Sequence, residues 1–219
     1  MRHCLVACET LRDELLHAMR LAQVDYEIFW IPSGLHNTPS KLRDTLQETL
    51  DNLLGFDRVL LCFGMCGNSV LGLKLGEYET ILPRADDCIT LLLGSFSRRE
   101  TINEEHAAYY LTEGWLRGER NLWVEYQYCV DTYGCEVAED IALEIFGHYR
   151  SLALLDTGIT RIEDLVRATK TMAETLKLKQ IVIPASDEYI VELLTGPWPQ
   201  ERFIVKAPHS VFESSDLLL

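Results

Sequence analysis

Short apolar segments alternate with amphipathic segments along most of this chain, and this alternation constrains the fold more than any other feature. Apolar segments of strand length occur at 3–8, 26–32, 57–64 and 78–84, and the segment 9–22 has apolar residues at helical spacing. Strands that alternate with helices form a parallel sheet with helices on its faces, and nearly continuous apolar strands agree with burial on both sides. We therefore predict an α/β, Rossmann-like fold.

A mostly helical region, 96–149, separates these strands from a second group. The second group of predicted strands is 151–158, 179–186 and 202–208. A chain of 219 residues is long enough to bury a sizeable core. We predict one α/β domain over 1–219, or two packed lobes, 1–95 and 150–208, with 96–149 as a helical insert. A short helix is also predicted at 68–76.

The composition excludes several classes of partner. The formal net charge is −14, and clustered Lys and Arg, which nucleic acids and anionic membranes require, are absent from the sequence. No apolar run reaches the roughly 18 residues of a membrane-spanning helix. The amino-terminal segment lacks a small-residue cleavage site, so we expect a cytoplasmic protein with no nucleic-acid or membrane partner.

Cysteines and one histidine follow successive predicted strands. Cys8 ends the first strand, His36 follows the second, Cys66 lies in the turn after the third, and Cys88 follows the fourth. The carboxyl ends of parallel strands meet at one edge of a sheet, where ligand sites of open α/β folds lie. Seven cysteines in a chain of this length point to metal binding, catalysis or burial rather than to disulfides. These four residues are therefore candidate metal ligands.

The chemistry of this set fits two cofactors. Thiolates and imidazole suit zinc, and three thiolates can hold a [4Fe-4S] cluster with one open iron. Gly64 and Gly67 flank the turn and allow the backbone to bring the thiol close to an ion or cofactor. Cys135 follows a glycine at a helix start and is a further candidate ligand, whereas Cys62 is interpreted as a core cysteine. The sequence does not choose between zinc and the [4Fe-4S] cluster as the cofactor.

Other polar residues near the strand ends are candidates for catalysis or binding. Arg84 and Asp87 lie in the segment PRADDC, where Arg84 is a candidate for binding a cofactor. Asp87 is a candidate for orienting a ligand or accepting a proton, or else Asp86 or Asp87 caps the next helix. Glu113 lies in the aromatic segment YYLTEGW, which either covers the strand ends or packs on the sheet.

The segments ACETLRDEL, GLHNTPSKLRDTL, GMCGNSVLGL, PRADDCITLLLGS, YYLTEGWL and LLDTG together resemble domain-of-unknown-function family 1638. The resemblance extends over roughly residues 3–160. It implies cysteines at the positions of Cys8, Cys66 and Cys88 and a histidine at the position of His36. Members occur in methane-producing archaea and anaerobic bacteria, often encoded near corrinoid-dependent methyl-transfer systems. The resemblance thus implies one-carbon or methyl-group metabolism, with no reaction specified.

Three functions follow from these observations. The first is a metal-dependent enzyme of methyl-group or anaerobic redox metabolism, with Cys8, Cys66 and Cys88 as ligands and His36 as fourth ligand or acid–base group. The second is an accessory protein that binds a metal or a corrinoid-linked partner without turnover. The third is a metal-free enzyme in which Cys66 is the nucleophile and His36 the base. The expected partners are a small-molecule substrate or a corrinoid protein, and a homo-oligomer is an open alternative.

Overall fold

A computed structural model describes residues 1–118 and 120–217. In this part of the chain eight strands form two sheets, one of five strands and one of three. The strands are β1 His3–Cys8, β2 Glu27–Ile31, β3 Arg58–Cys62, β4 Glu79–Pro83, β5 Ala108–Leu111, β6 Ser151–Asp156, β7 Lys179–Pro184 and β8 Phe203–Lys206. The sheets and their helices confirm the predicted α/β class.

Helices connect most of the strands. They are α1 Arg12–Ala22, α2 Pro39–Asp51, α3 Cys88–Leu93, α4 Phe96–His106, α5 Glu113–Leu116, α6 Leu122–Tyr133, α7 Cys135–Phe146, α8 Ile162–Ala168, α9 Lys170–Thr175 and α10 Glu188–Thr195. Short 3-10 helices occur at Glu9–Leu11, Leu35–Asn37 and Ser214–Leu217. Pro39 is the first residue of α2, where its missing N–H costs no hydrogen bond.

The larger sheet has the strand order β2-β1-β3-β4-β8. Its first four strands are parallel, whereas β8 pairs with β4 in the antiparallel direction. Strand β1 lies between β2 and β3, and its residues from Cys4 to Ala7 are fully buried. Because the parallel strands β1, β2, β3 and β4 run in the same direction, their carboxyl ends share one edge of the sheet. This edge carries the predicted site.

The smaller sheet has the order β5-β6-β7, and all its strands are parallel. Its strand β5 lies within 96–149, the region predicted as a helical insert. Strand β8, predicted to belong with the strands after residue 150, instead joins the first sheet through β4. Sheet membership therefore differs from the predicted grouping of strands. The assignment of one domain or two lobes stays a prediction.

The predicted short helix at 68–76 is wrong. These residues form turns, with one isolated bridge between Lys74 and Val211. Asn68 and Gly72 have φ angles of +62° and +83°, which are incompatible with a right-handed helix. The spacing of apolar residues predicted a helix here, but the left-handed backbone at Asn68 and Gly72 prevents one from forming.

Among the described residues, the largest hydrophobic cluster contains the first sheet together with Ala108, Tyr110, Ala153 and Leu155 of the second. A second cluster contains the alternate residues Leu111, Leu152 and Leu154, and a small third cluster lies between α6 and α7. Trp115 on α5 packs against the two larger clusters. Within residues 1–118 and 120–217, the helices are all too short or too polar to cross a membrane.

Candidate functional site

Three thiols meet at the carboxyl edge of the first sheet. Cys8 is the last residue of β1, Cys66 lies in the loop after β3, and Cys88 is the first residue of α3. The Cys88 thiol interacts directly with the thiols of both Cys8 and Cys66. The Cys8 Sγ also lies 3.0 Å from the Thr10 Oγ1. The structure thus brings together three of the sequence-predicted ligands.

Close contact between two loops explains why two of these thiols meet. The backbone amide of Cys66 donates a hydrogen bond of 2.8 Å to the carbonyl of Asp86, two residues before Cys88. Gly64 lies against the backbone of Asp87, so closely that a Cβ on residue 64 would be 2.4 Å from the Asp87 Cα. Only glycine permits this approach. The two loops therefore form one hydrogen-bonded unit.

The turn that presents Cys66 has a left-handed backbone. Cys66 has a φ angle of +43° and Gly67 one of +65°. A Cβ on Gly67 would lie 3.1 Å from the Pro39 Cγ at the start of α2. A positive φ is uncommon for a cysteine, and it aims the side chain in a direction that a regular turn would not. The backbone thus accepts strain at the thiol-bearing position.

The surroundings of Cys8 and Cys88 raise the pKa of both thiols and so favour their protonated form. Contact with the Cys66 thiol, together with burial, raises the pKa of Cys88 well above its ordinary value, and Cys88 is only 3% exposed. Contact with Cys88, followed by burial, likewise raises the pKa of Cys8. A bound cation reverses this preference, because it stabilises thiolates directly. Cys62 is fully buried in β3 and burial raises its pKa, which agrees with a core cysteine.

The three thiols line a cavity of about 340 Å³. Its other walls are mostly apolar and include Ile31, Leu42 and Phe63. His36 and Trp115 complete the wall, with ring centroids 6.2 Å apart. A volume of this size fits a small ligand or the reacting end of a larger one.

The surroundings of His36 in this wall favour its neutral form. Burial lowers its pKa, and the Asp87 carboxylate opposes that shift in part. A neutral imidazole has a free nitrogen lone pair, so His36 is able to bind a metal or accept a proton.

A larger cavity of about 630 Å³ adjoins the thiol cavity. The two cavities share His36, Asp87 and Trp115 as wall residues. The charged side chains of Arg99, Arg120 and Glu125 also line the larger cavity, together with several aromatic and amide side chains. The aromatic and amide side chains include those of Asn37, Asn103, Tyr109, Tyr110, Asn121, Phe146 and Tyr149. The larger cavity offers room for the body of a molecule whose reacting group reaches the thiols.

Asp87 caps the helix that Cys88 begins. Its Oδ1 accepts hydrogen bonds from the amides of Ile89 at 2.9 Å and Thr90 at 3.2 Å. Its Oδ2 lies 2.7 Å from the Arg99 Nη1, which also pairs with Asp86. Burial raises the pKa of Asp87, and Arg99 opposes the shift. The capping role, one of the two predicted for this segment, is present.

Three predicted site residues lie outside both cavities. Arg84 donates hydrogen bonds to the carbonyls of Gln200 at 2.6 Å and Asp216 at 3.0 Å, so it binds the carboxyl-terminal segment. Glu113 is partly exposed on α5 and pairs with Arg117 at 3.3 Å. Cys135 is exposed at the start of α7. Neither cavity has any of them in its wall.

The ligand-type side chains are not arranged as a finished metal site. In the described part of the chain, no group of three or more His, Cys, Asp and Glu residues could hold a metal ion as it stands. Metal binding would therefore require side-chain rotation at these positions.

Sequence reasoning missed Thr10 and Arg99 as site residues. Thr10 shares the first strand end with Cys8, which was a usable signal. Arg99 lies on α4, distant from every strand end in sequence, and only the packing of α4 brings it to Asp86 and Asp87.

The chain belongs to DUF1638, a protein family of unknown function, whose family model matches residues 30–194. The match confirms the resemblance, and its bounds place Cys66, Cys88 and His36 inside the matched region and Cys8 before it. No curated protein and no solved structure matches the chain.

Proposed function

We propose that Cys8, Cys66 and Cys88 hold one zinc ion in a cytoplasmic enzyme that acts on a small molecule in one-carbon or anaerobic redox metabolism. The observation that carries the proposal is the contact of the Cys88 thiol with both other thiols in the wall of a cavity. Thiols from separate segments that meet in the wall of a cavity are suited to binding a metal or to covalent chemistry.

The donor types support zinc over a cluster. Zinc prefers thiolate sulfur and imidazole nitrogen, and Zn–S bonds of about 2.3 Å in tetrahedral geometry put ligand sulfurs about 3.8 Å apart. The Cys88 thiol already contacts each of the other two thiols. A [4Fe-4S] cluster spreads its thiolates further, because each sulfur binds a different iron. Zinc binding thus needs side-chain rotation and loss of protons, with the backbone kept in place.

Each neighbouring residue has a role that its position supports. Zinc with three protein ligands supplies an open position for a substrate thiol or oxygen. His36 is placed to act as the fourth ligand or to accept a proton from the substrate. Trp115 and the apolar wall exclude water from the thiols. The cavity of about 630 Å³ would bind the remainder of the substrate.

Elemental analysis tests this proposal on protein purified without oxygen or chelator. We expect about one zinc per chain, as in sites of this ligand type. The zinc should be lost in Cys8→Ser, Cys66→Ser and Cys88→Ser but kept in Cys129→Ser, whose cysteine lies on α6. Several irons per chain together with visible absorption would show that the site holds an iron–sulfur cluster and not zinc. Protein that contains neither metal and takes up neither on reconstitution would refute the metal site.

A second candidate is a metal-free enzyme with a cysteine nucleophile. The mutual contact of the thiols, without a finished metal geometry in the described residues, favours it. In this case Cys66 would attack the substrate and His36 would accept its proton. One thiol would then react with an alkylating agent far faster than the others in metal-free protein. Stable binding of a corrinoid protein without turnover would instead indicate an accessory role.

A further inference from the structure

Asp86 and Asp87 directly precede Cys88, and a backbone hydrogen bond joins this segment to the loop that carries Cys66. The Asp86 carbonyl binds the Cys66 amide at 2.8 Å, and the Asp87 side chain caps the helix that begins with Cys88. One segment of two residues therefore fixes both thiol-bearing positions. Any side chain that holds this segment in place controls the distance between the two thiols.

Arg99 holds that segment. Its Nη1 contacts the Oδ2 of Asp87 at 2.7 Å and also the Oδ2 of Asp86. The Arg99 side chain is 20% exposed, and the carboxylates are 30% and 31% exposed, so solvent screens these pairs only partly. Two adjacent carboxylates repel each other at this separation unless a cation lies between them. Arg99 supplies that cation from α4.

We propose that Arg99 is a positioning residue for the thiol site: by binding Asp86 and Asp87 together, it holds Cys66 and Cys88 in the relative position in which their thiols meet. The assignment rests on the proposed function only in taking these thiols as the reacting or metal-binding groups. Arg99 itself contacts no thiol. It acts through the cap of α3 and through the backbone carbonyl of Asp86.

Loss of Arg99 has a defined consequence in this geometry. Without the guanidinium, the two carboxylates repel each other, although the Thr90 hydroxyl still donates to Asp86 and two amides still donate to Asp87, so the cap of α3 weakens. Cys88, which is 3% exposed, reacts with solvent reagents only when its surroundings open. Losing a whole helix cap makes such opening roughly fivefold more frequent, which is the upper limit for a cap that only weakens. Arg99→Gln should therefore raise the reactivity of Cys88.

The test measures iodoacetamide labelling of each cysteine by mass spectrometry in metal-free, reduced protein. We expect Arg99→Gln to speed labelling of Cys88 roughly three- to fivefold, approaching the scale of losing one cap. Labelling of Cys129 on α6 should not change, which controls for general loosening. Labelling of Cys88 within twofold of the wild-type rate would overturn the proposal.

Two further variants separate positioning from simple loss of stability. Arg98→Gln is the matched control, because Arg98 is adjacent on α4 and binds the carbonyls of Leu93 and Pro184 at 3.1 and 2.6 Å instead. Equal acceleration in Arg98→Gln would overturn the proposal. Arg99→Lys should restore slow labelling, since one nitrogen of Arg99 serves both carboxylates. Fast labelling in Arg99→Lys, equal to that of Arg99→Gln, would also overturn it.

The second measurement on these variants is their zinc affinity, determined by competition with a chelator. Residues that orient ligands change metal affinity by about 10- to 100-fold, and we expect a loss in this range for Arg99→Gln. If the protein binds no zinc but labelling responds as described, the zinc proposal fails and the positioning role of Arg99 stands. If zinc binds and neither labelling nor affinity responds, the positioning role fails alone.

Discussion

Gly64 and Asp87 are in direct backbone contact, although they belong to loops that follow different strands. A Cβ on residue 64 would lie 2.4 Å from the Asp87 Cα and 2.6 Å from its carbonyl carbon and its nitrogen. Because backbone atoms cannot rotate away as a side chain can, a methyl group at this position must separate the loops. The distance between Cys66 and Cys88 therefore depends on the absence of a side chain at residue 64.

Gly64→Ala should destabilise the fold and separate the thiols. We expect a loss of about 1–3 kcal/mol in the free energy of unfolding, the usual cost of forcing extra atoms into a packed site. Urea denaturation measures the loss, and labelling of Cys88 reports the thiol geometry. The matched control is Gly72→Ala, which has φ +83° and open space around its Cα. It should cost only about 1–2 kcal/mol of backbone strain and leave Cys88 labelling unchanged.

Glu14→Gln should make stability less dependent on pH. Glu14 is 3% exposed, and no described group bonds its Oε2. Burial raises its pKa from 4.5 to about 7. The folded state therefore keeps this proton over a pH range in which the unfolded state has lost it, so the wild-type protein loses stability as pH rises from about 4.5 to 7.

The raised pKa of Glu14 corresponds to a loss of about 3 kcal/mol in the free energy of unfolding at pH 8, and Glu14→Gln should recover most of this loss. Below pH 4.5 the carboxyl is protonated in both states, so the variant should gain nothing from this source there. Denaturation curves at pH 4 and pH 8 measure the difference. Glu48→Gln, an exposed site on α2, is the control. An equal effect of Glu14→Gln at both pH values would contradict the prediction.

Trp115→Ala should expose the thiol cavity. The indole lies in the walls of both cavities and packs against the two larger hydrophobic clusters. Removing it should cost up to about 3 kcal/mol of stability and increase labelling of Cys8 and Cys66. Trp198→Ala is the matched control, because Trp198 is also half-buried but contacts Leu193 and Arg58 far from the thiols. Unchanged labelling in Trp115→Ala would show that the indole does not shield the thiols.

Arg84→Gln should leave metal content and thiol labelling unchanged, although Arg84 lies close to Cys88 in sequence. Its hydrogen bonds to Gln200 and Asp216 attach the carboxyl-terminal segment to the first sheet. Losing them should cost about 1 kcal/mol each and speed amide hydrogen exchange in residues 213–217. A loss of bound zinc in this variant would restore Arg84 to the site.

The sequence by itself determined the α/β class and the convergence of Cys8, Cys66 and Cys88. Both follow from patterns along the chain. The spacing of apolar residues identifies the strands, and parallel strands place their carboxyl ends at one edge of the sheet. Only the tertiary structure decided that β8 joins the first sheet, that Cys135 and Glu113 lie away from the thiols, and that Arg99 reaches Asp86 and Asp87. Those positions depend on how helices pack across the sheet edge, and such packing has no fixed spacing along the chain.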